Sequence, residues 1–536
     1  MLGDVDPDEV DPKSITFAGA MAVPGSWDVL PEYAGRRGLA AYGIDLHCFD
    51  GTPHRVVFDG VQHWCRVSFD GTPAAEHRWG FTRFGVDVPS GSRRMVVLVD
   101  NRDDAGRSLL HRDFYDWHHH GGVARGVALH RLGDPWIESV VVTTVAIVPV
   151  PVIEVVVEVA SESGRQTAHP AELFVDGTVR LATTVPVGVT AWQLELPDAA
   201  LWSTNDPSLH LVEVRVGSDD WRERIGIRIV GTDGGRLTIN GEAVRLLGVN
   251  RHDMHPDHGA GLPDDHRLAD AQLVRQLGAN FLRGGHYPQD EGLLDLCDEM
   301  GICVWSEATS WQADARQLTD DRWLEDAESH IGEMIAAARN HPSVILWGLL
   351  NEGASNDLSC RPGYERLISR IRAADASRPV TFAGNHTADD VCAELVDVVG
   401  INAYPGWYYG SIDDVGPELD RLIAAVDAAG FADKPIIVSE IGAEAIRGWR
   451  DPAADRWSED HQARLLDTTI RHLFVERDRV CGLAIWVLAD FRTPQAMPRV
   501  LIRPRAYNHK GLVDEYRRPK LAAEVVARAY HDLSGP

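Results

Sequence analysis

Beyond residue 233 the chain alternates short apolar runs with helical patterns, and this alternation limits the possible folds more than any other feature. Strands covered on both faces are almost wholly apolar, so these runs predict a buried parallel sheet. The predicted strands are residues 246–250, 281–285, 303–307, 345–352, 380–384, 398–404, 436–442 and 483–490. The predicted helices between them are residues 264–277, 292–299, 323–339, 361–374, 418–428 and 458–475.

Eight strands with intervening helices in about 300 residues predict a multidomain protein that ends in a (β/α)8 TIM barrel, over residues 233–536. The alternative, a doubly wound open sheet, would place a glycine-rich phosphate turn after an early strand, and the sequence shows none. Before residue 233, β-branched and aromatic runs broken by turn residues predict antiparallel β-sandwiches. A break at 132–136 divides them into a jelly-roll-like β-sandwich over 1–134 and an immunoglobulin-like β-sandwich over 135–232.

The net charge of −28 restricts what the chain can bind. Such a field repels nucleic acid, and it opposes an anionic small substrate unless cations gather around that substrate. No run reaches the ~20 apolar residues of a membrane helix, so no membrane partner is expected. The acidic start, Met-Leu-Gly-Asp-Val-Asp, does not resemble a secretory signal, and we expect a cytoplasmic protein. Seven cysteines without CxxC spacing predict reduced thiols rather than disulfides or a zinc site.

Polar residues stand at the carboxyl ends of the predicted barrel strands. Catalytic residues of TIM barrels come from these ends, which all meet at one face. Carboxylates, amides, imidazoles and aromatic rings gathered there predict a polar pocket of sugar size. The residues concerned are Asn250, Arg251, His252, Arg283, His286, Glu307, Asn351, Glu352, Asn402, Tyr404, Glu440, Trp486 and Asp490.

Two of these carboxylates, Glu352 and Glu440, end unbroken apolar strands on opposite sides of the predicted barrel mouth. A buried acid is costly unless it is paired or functional. Glycosidic cleavage needs two carboxyl groups that flank the anomeric carbon, and a gap of about 5–5.5 Å between them gives retention of configuration. The other possibility is that each carboxylate forms a structural ion pair with a nearby arginine.

From Val23 onward the sequence resembles glycoside hydrolase family 2, and within it the β-glucuronidase branch. The resemblance covers roughly residues 20–530 and rests on six motifs and their order. They are Gly-Val-Asn-Arg-His-Asp (248–253), Leu-Arg-Gly-Gly-His-Tyr-Pro (282–288), His-Pro-Ser-Val-Ile-Leu-Trp-Gly-Leu-Leu-Asn-Glu (341–352), Asn-Ala-Tyr-Pro-Gly-Trp-Tyr (402–408), Glu-Ile-Gly (440–442) and Asn-His-Lys-Gly-Leu-Val (508–513).

The resemblance implies a retaining, exo-acting β-glycosidase that works by double displacement through a covalent glycosyl-enzyme. It implies Glu352 as the acid/base and Glu440 as the nucleophile, with Tyr404 orienting Glu440 and Asn351 bonding the sugar 2-hydroxyl. Asp113 of the first sandwich matches a position that reaches the active site, although it could equally be a solvated loop acid. Sugar-binding positions implied in the barrel are His286, Asn402, Tyr408 and Trp486.

The expected substrate is a β-glucuronide, because β-glucuronidases bind the C6 carboxylate with an Asn-x-Lys pair that matches Asn508 and Lys510. An ammonium and an amide both make charge-assisted hydrogen bonds to a carboxylate. The branch often carries an arginine four residues before the asparagine, where this chain has Pro504. Either of its neighbours, Arg503 or Arg505, could replace that arginine.

Several alternatives remain open from the sequence. A β-galacturonidase would use the same carboxylate contacts, whereas a β-galactosidase or β-mannosidase of the family would not need them. A catalytically dead carbohydrate-binding barrel is less consistent with two intact carboxylates. No cofactor and no metal is expected; a metal site at 118–120 is disfavoured because three consecutive histidines cannot all face one ion. The resemblance also implies a homo-oligomer, with dimer and tetramer not distinguished.

Overall fold

The computed structural model describes residues 1–46, 52–102, 115–162, 167–494 and 503–534. The first region forms antiparallel sheets in the orders β1-β7-β4-β5, β6-β2-β9 and β3-β8. Buried side chains such as Phe58, Val67 and Val97 fill the space between the larger sheets. The strands are β1 (Leu39–Asp45), β2 (His54–Phe58), β3 (Val61–Gln62), β4 (Trp64–Phe69), β5 (Thr72–Arg78), β6 (Phe84–Val88), β7 (Arg94–Asp100), β8 (Gly122–Val123) and β9 (Val127–Arg131).

The second region is a two-sheet sandwich with the strand orders β10-β11-β14 and β13-β12-β15-β16. Alternate residues of the central strands, such as Val155 and Val157, are fully buried between the sheets. A small antiparallel sheet, β17-β18-β19, follows it. The strands are β10 (Trp136–Ala146), β11 (Val152–Ala160), β12 (His169–Val175), β13 (Thr178–Val185), β14 (Gly188–Glu195), β15 (His210–Val216), β16 (Asp219–Ile225), β17 (Val230–Asp233), β18 (Arg236–Ile239) and β19 (Glu242–Ala243).

The third region is a closed barrel of eight parallel strands in sequential order, which confirms the predicted fold class. Every residue of these strands is buried, as the apolar runs predict. The strands are β20 (Leu246–Arg251), β21 (Phe281–Gly284), β22 (Cys303–Glu307), β23 (Val344–Asn351), β24 (Val380–Gly384), β25 (Val398–Asn402), β26 (Ile436–Ile441) and β27 (Gly482–Ile485). The short pair β28 (Phe491–Arg492) and β29 (Tyr507–Asn508) follows.

Helices cover the outside of the barrel and bury their apolar stripes against its strands. In α4, for example, Leu324, Ile331 and Ile335 are buried. The helices are α1 (Asp264–Gln276), α2 (Glu291–Met300), α3 (Ala315–Leu318), α4 (Asp321–Ala338), α5 (Arg361–Ala374), α6 (Val415–Val426), α7 (Glu459–Phe474) and α8 (Leu521–Ser534). Within the described ranges, every helix is too short or too polar to span a lipid bilayer.

The two sandwiches contact opposite ends of the barrel. The fully buried Trp202 donates its indole N–H to the Asp298 carbonyl at 2.9 Å. A Cβ added at Gly226 would lie 2.6 Å from Cβ of Pro342, so only glycine fits beside the start of β23. The first sandwich instead reaches the mouth, where Arg125 donates to the Pro288 carbonyl at 2.7 Å. The domain boundaries near residues 134 and 232 remain predictions.

The six described cysteines are all buried and free of disulfides. Cys297 and Cys303, for example, have fully enclosed thiols whose pKa burial raises above the ordinary range. A buried thiol of this kind behaves as a small apolar side chain rather than as a nucleophile. The prediction for Cys48 lies outside the described residues.

Candidate active site

Arg283, on β21, connects the side chains of four barrel strands at the mouth. Its guanidinium donates to Glu440 Oε1 at 2.9 Å, to Asn351 Oδ1 at 2.9 Å and to Asn250 Oδ1 at 3.0 Å. It also makes a forked contact with Glu307, at 2.9 Å through Nε and 2.7 Å through Nη2. Because the side chain is fully buried, these charge-assisted bonds are the means by which its charge is stabilised.

Glu440, on β26, is held at both carboxylate oxygens. Arg283 occupies Oε1, and the Tyr404 hydroxyl donates to Oε2 at 2.7 Å. Burial raises the pKa of Glu440 to about 7, against the opposing effects of Arg283 and Tyr404, and the nearby Glu352 carboxylate adds to the rise. The geometry therefore presents a fixed carboxylate whose ionised form depends on its two donors.

Glu352 directly follows β23 and has a left-handed backbone conformation, with φ of 50°. Its Oε1 accepts from the Asn402 amide at 3.1 Å, and its Oε2 accepts from the Gln312 amide at 3.1 Å. The same Asn402 amide donates to Asn351 Oδ1 at 3.0 Å. Glu352 is thus linked to Glu440 through Asn402, Asn351 and Arg283, and it is more exposed than Glu440.

Aromatic rings form the wall beside this network. His286 and Trp486 stack with centroids 4.9 Å apart and an interplanar angle of 14°. Trp117 comes from the first sandwich and lies 5.7 Å from His286. The prediction that this sandwich contributes to the pocket therefore has structural support from Trp117, whereas Asp113 lies outside the described residues.

A second cluster, which we call the cationic cluster, contains Arg503, Asn508 and Lys510. The Lys510 ammonium donates to the Tyr408 hydroxyl at 2.9 Å and lies 5.5 Å from the centroid of the Tyr404 ring. Because the Tyr404 hydroxyl bonds Glu440, the same tyrosine side chain contacts both Lys510 and the Glu440 carboxylate. Four predicted substrate contacts, including Tyr408, are therefore gathered in one place.

Arg505 lies outside the cationic cluster, and its role as a substrate contact stays a prediction. Its guanidinium pairs with Glu515 at 2.9 Å and its side chain is 64% exposed. The backbone differs at the two arginines, since Arg505 has a left-handed φ of 58° and Arg503 has a φ of −99°. Arg503 alone joins Lys510.

Two carboxylates of the cationic cluster were missed by the sequence reasoning. Glu444 accepts from Lys510 at 3.2 Å and from Arg503 at 3.1 Å. Although burial alone would raise its pKa, these two cations hold the pKa of Glu444 below the usual range. Asp116, from the first sandwich, pairs with Arg503 and accepts from the Asn508 amide at 3.2 Å. The available signal was that buried cations need counter-ions.

The residues predicted at the strand ends thus converge on one mouth, and the family comparison agrees with this geometry. The profile described as "Glycosyl hydrolases family 2, TIM barrel domain" matches residues 230–534. The chain belongs to glycoside hydrolase family 2. As a member of family 2 it is a glycoside hydrolase, which confirms the resemblance found in the sequence.

Relatives of this family 2 enzyme differ in the sugar that they are named for. The β-glucuronidase of Rattus norvegicus is 31% identical, with 89% of this chain and 78% of the relative covered. The β-glucuronidase of Paenibacillus borealis is 28% identical, with coverage of 88% and 83%. A β-galacturonidase from Eisenbergiella tayi, solved with bound galacturonate, is 32% identical with a TM-score of 0.89 and covers 97% of this chain and 95% of its own.

Replacing Arg283 by methionine would leave Glu307 and Glu440 of this family 2 enzyme buried without their cation. At about pH 7.5 we expect the free energy of unfolding to fall by roughly 3–5 kcal/mol, the usual cost of removing one partner of a buried ion pair. Without the guanidinium the folded-state pKa of both carboxyl groups rises. The lost stability is therefore recovered as the pH falls and the groups bind protons. Urea denaturation at about pH 7.5 and about pH 5.5 measures both effects.

The matched control is Arg450→Met, since Arg450 pairs with Asp460 at 2.9 Å on the protein surface. Exposed pairs of this kind contribute only about 0–1 kcal/mol. If Arg283→Met and Arg450→Met had the same denaturation midpoint at both pH values, the buried contacts of Arg283 would contribute no more to the free energy of unfolding than an exposed ion pair.

Proposed function

We propose that this family 2 hydrolase is a retaining, exo-acting β-glucuronidase. The observation that carries the proposal is the placement of the cationic cluster beside Glu440, in a mouth that also holds Glu352. Two linked carboxylates provide the chemistry of glycoside cleavage, and local cations provide recognition of an acidic sugar. The names of the rat and Paenibacillus borealis relatives support the same substrate class.

In the first step of the proposed mechanism, Glu440 attacks the anomeric carbon and Glu352 protonates the departing oxygen. A covalent glycosyl-enzyme forms, and the aglycone leaves as an alcohol or phenol. Arg283 and Tyr404 fix both oxygens of Glu440, which orients the carboxylate before the sugar arrives. In the second step, Glu352 takes a proton from water, which attacks the same carbon and releases Glu440.

Asn351 is the proposed partner of the sugar 2-hydroxyl. Its Oδ1 already accepts from Arg283 and from Asn402, whereas its Nδ2 makes no hydrogen bond among the described residues. The amide orientation is therefore fixed by the two donors, and the remaining N–H groups are the ones available to a ligand. A bond to the 2-hydroxyl that strengthens in the transition state contributes to catalysis.

Substitution of each carboxylate tests the two roles separately. Glu440→Gln should lower kcat/KM at least about 10³-fold on every substrate, because no glycosyl-enzyme can form. Glu352→Gln should lower kcat/KM for alkyl glucuronides by about 10²–10⁴-fold. A 4-nitrophenyl glucuronide should be affected far less, since its leaving group departs without a proton. Steady-state kcat/KM with both leaving groups measures the difference.

Glu365→Gln is the matched control for these variants, because Glu365 pairs with Arg361 on the exposed face of α5. It should hydrolyse every substrate at the rate of the unchanged enzyme. An equal loss on alkyl and nitrophenyl glucuronides in Glu352→Gln would overturn the acid/base role of that residue.

The cationic cluster supports a uronic acid as the substrate. Its two cations, Lys510 and Arg503, each contact Glu444, and Arg503 also pairs with Asp116. Charges that are fixed in this way lose little freedom when they bind a second carboxylate. In a chain with a net charge of −28, this cluster supplies two cations where the sugar carboxylate is proposed to bind.

A β-galacturonidase is the second candidate, favoured by the similarity to the Eisenbergiella tayi enzyme solved with galacturonate. Glucuronic and galacturonic acid share the C6 carboxylate and differ only at the C4 hydroxyl. The cationic cluster suits both sugars equally, so the choice depends on a contact to C4 and not on charge.

Loss of the Lys510 ammonium should discriminate acidic from neutral sugars. We expect Lys510→Ala to lower kcat/KM for the β-glucuronide by about 10–100-fold, which corresponds to one charge-assisted hydrogen bond. Activity on β-glucoside, β-galactoside and β-mannoside should be low, and Lys510→Ala should lower it much less than it lowers kcat/KM for the β-glucuronide. The measurement is a chromogenic panel of these sugars with β-glucuronide and β-galacturonide.

The exposed Lys13→Ala serves as the control. A higher kcat/KM for the galacturonide that still depends on Lys510 would favour the second candidate. Preference for a neutral glycoside, unaffected by Lys510→Ala, would remove the uronic acid from the proposal and leave the two carboxylate roles intact.

We also propose that the enzyme is cytoplasmic and forms a homo-oligomer. The six described cysteines support the first point, since they are buried without disulfides as in proteins of reducing compartments. The family resemblance supports the second. Light scattering should give a mass of two or more chains, each of 59.0 kDa. A mass of one chain, or native enzyme recovered from the medium, would contradict these points.

A further inference from the structure

Three histidines converge beside the barrel mouth in a group that the proposed hydrolysis does not use. His255 and His258 lie in the loop after β20, and His266 lies in the first turn of α1. One potential ligand atom from each ring lies within 4.8 Å of the other two. We propose that His255, His258 and His266 bind a divalent first-row transition metal of the Zn²⁺ class.

A tight turn brings the first two histidines to the same side of the loop. The His255 amide donates to the Gly259 carbonyl at 2.9 Å, and the Gly259 amide donates back at 2.8 Å. Gly259 has φ of +60°, the left-handed conformation that closes this turn. The two ends of the turn are therefore locked together, which fixes the spacing of His255 and His258 before any ligand binds.

The separations of the three rings match binding to one ion. The ring centroids are 5.3 Å apart for His255 and His258, 4.4 Å for His255 and His266, and 4.8 Å for His258 and His266. Three imidazoles at Zn–N distances of about 2.0–2.1 Å in tetrahedral geometry have centroids about 5 Å apart. Their interplanar angles of 34–67° exclude parallel stacking of the three rings.

A metal requires neutral imidazole ligands, so the charged side chains around the three rings matter to the site. Arg517 does not block the site, because its guanidinium is engaged with Asp270 at 2.9 and 3.0 Å. Asp257 supplies a carboxylate on the other side, 3.9 Å from His255 Nδ1.

The hydrogen bonds of the rings also leave room for an ion. Neither His258 nor His266 makes a ring hydrogen bond to another described residue, whereas His255 Nδ1 accepts from the Asp257 amide at 3.2 Å. If His255 binds metal through Nε2, its single ring proton moves to Nδ1, which then gives up the hydrogen bond from the Asp257 amide. Asp257 Oδ2, 3.9 Å away, can then accept from Nδ1, and a histidine held between a carboxylate and a metal is a common arrangement.

Two other groups of possible ligands in the described chain lack these properties. In one, His118 and His120 both contact Asp28, at 2.7 and 3.1 Å, while His119 packs against Tyr115. In the other, His341 contacts Asp298 at 2.6 Å. Their imidazoles are already satisfied by carboxylates, so an ion would have to break strong buried contacts.

A metal at this position would join the β20 loop to α1. The same loop begins at His252, whose ring lies 5.4 Å from Trp486 and 5.5 Å from Trp117 in the wall of the active site. The site is therefore expected to act on the stability of this wall and not on the bond-breaking step.

The test uses the full-length enzyme after dialysis against a chelator. Isothermal titration with Zn²⁺ should show one equivalent bound per chain, and Co²⁺ should give a visible absorption band from nitrogen coordination. Zn²⁺ should also raise the apparent melting temperature, because an ion that binds only the folded state stabilises it. His258→Ala and His266→Ala should each lose the bound equivalent of Zn²⁺, the Co²⁺ absorption band and the rise in melting temperature.

His386→Ala, in the loop after β24, is the matched control and should keep all three signals. The proposal is overturned if the unchanged enzyme binds no stoichiometric metal. It is also overturned if His258→Ala and His266→Ala both retain the equivalent, in which case His118→Ala and His341→Ala would identify its place. Because metal content and melting temperature are measured without substrate, the result is independent of the glucuronidase proposal.

Discussion

The guanidinium of Arg283 is the interaction on which the mouth of the barrel depends. It is fully buried, and it contacts Glu307 and Glu440 together with the amides of Asn250 and Asn351. Taking a cation and two carboxylates out of water is costly, and the cost is offset only when every polar atom finds a partner. One side chain therefore sets the relative positions of strands β20, β21, β22, β23 and β26 at the end where the chemistry is proposed.

The mouth contains two groups of ion pairs in which the roles of cation and anion are reversed. At Arg283, a cation holds anions in place. Burial raises the pKa of Glu440 to about 7, although its two hydrogen-bond donors act in the opposite direction. In the cationic cluster, anions hold cations in place, since Glu444 and Asp116 fix Lys510 and Arg503. With two cations and two carboxylates this group is formally neutral, so it offers a ligand fixed N–H donors rather than a net positive charge.

The sequence was informative where local physics determines the structure. Parallel barrel strands must be apolar on both faces, so all eight could be located, and an acid such as Glu352 that ends such a strand points to the mouth. Asp116 could not be found in the same way, because its partner Arg503 is 387 residues distant and belongs to another module. Arg503 and Arg505 could not be told apart from the sequence, because two arginines flanking one proline look equivalent until the backbone conformation is known.

The contact between Asp116 and Arg503 joins the first sandwich to the barrel mouth. The barrel supplies both carboxylates, but the aspartate that fixes Arg503 and Asn508 comes from the first sandwich. A barrel that has closed before the sandwich docks would hold Glu352 and Glu440 without the complete pocket that we propose for the uronic acid. In that proposal, discrimination between sugars is a property of the assembled modules, and sequence changes in the sandwich can alter substrate choice while the reaction chemistry in the barrel stays the same.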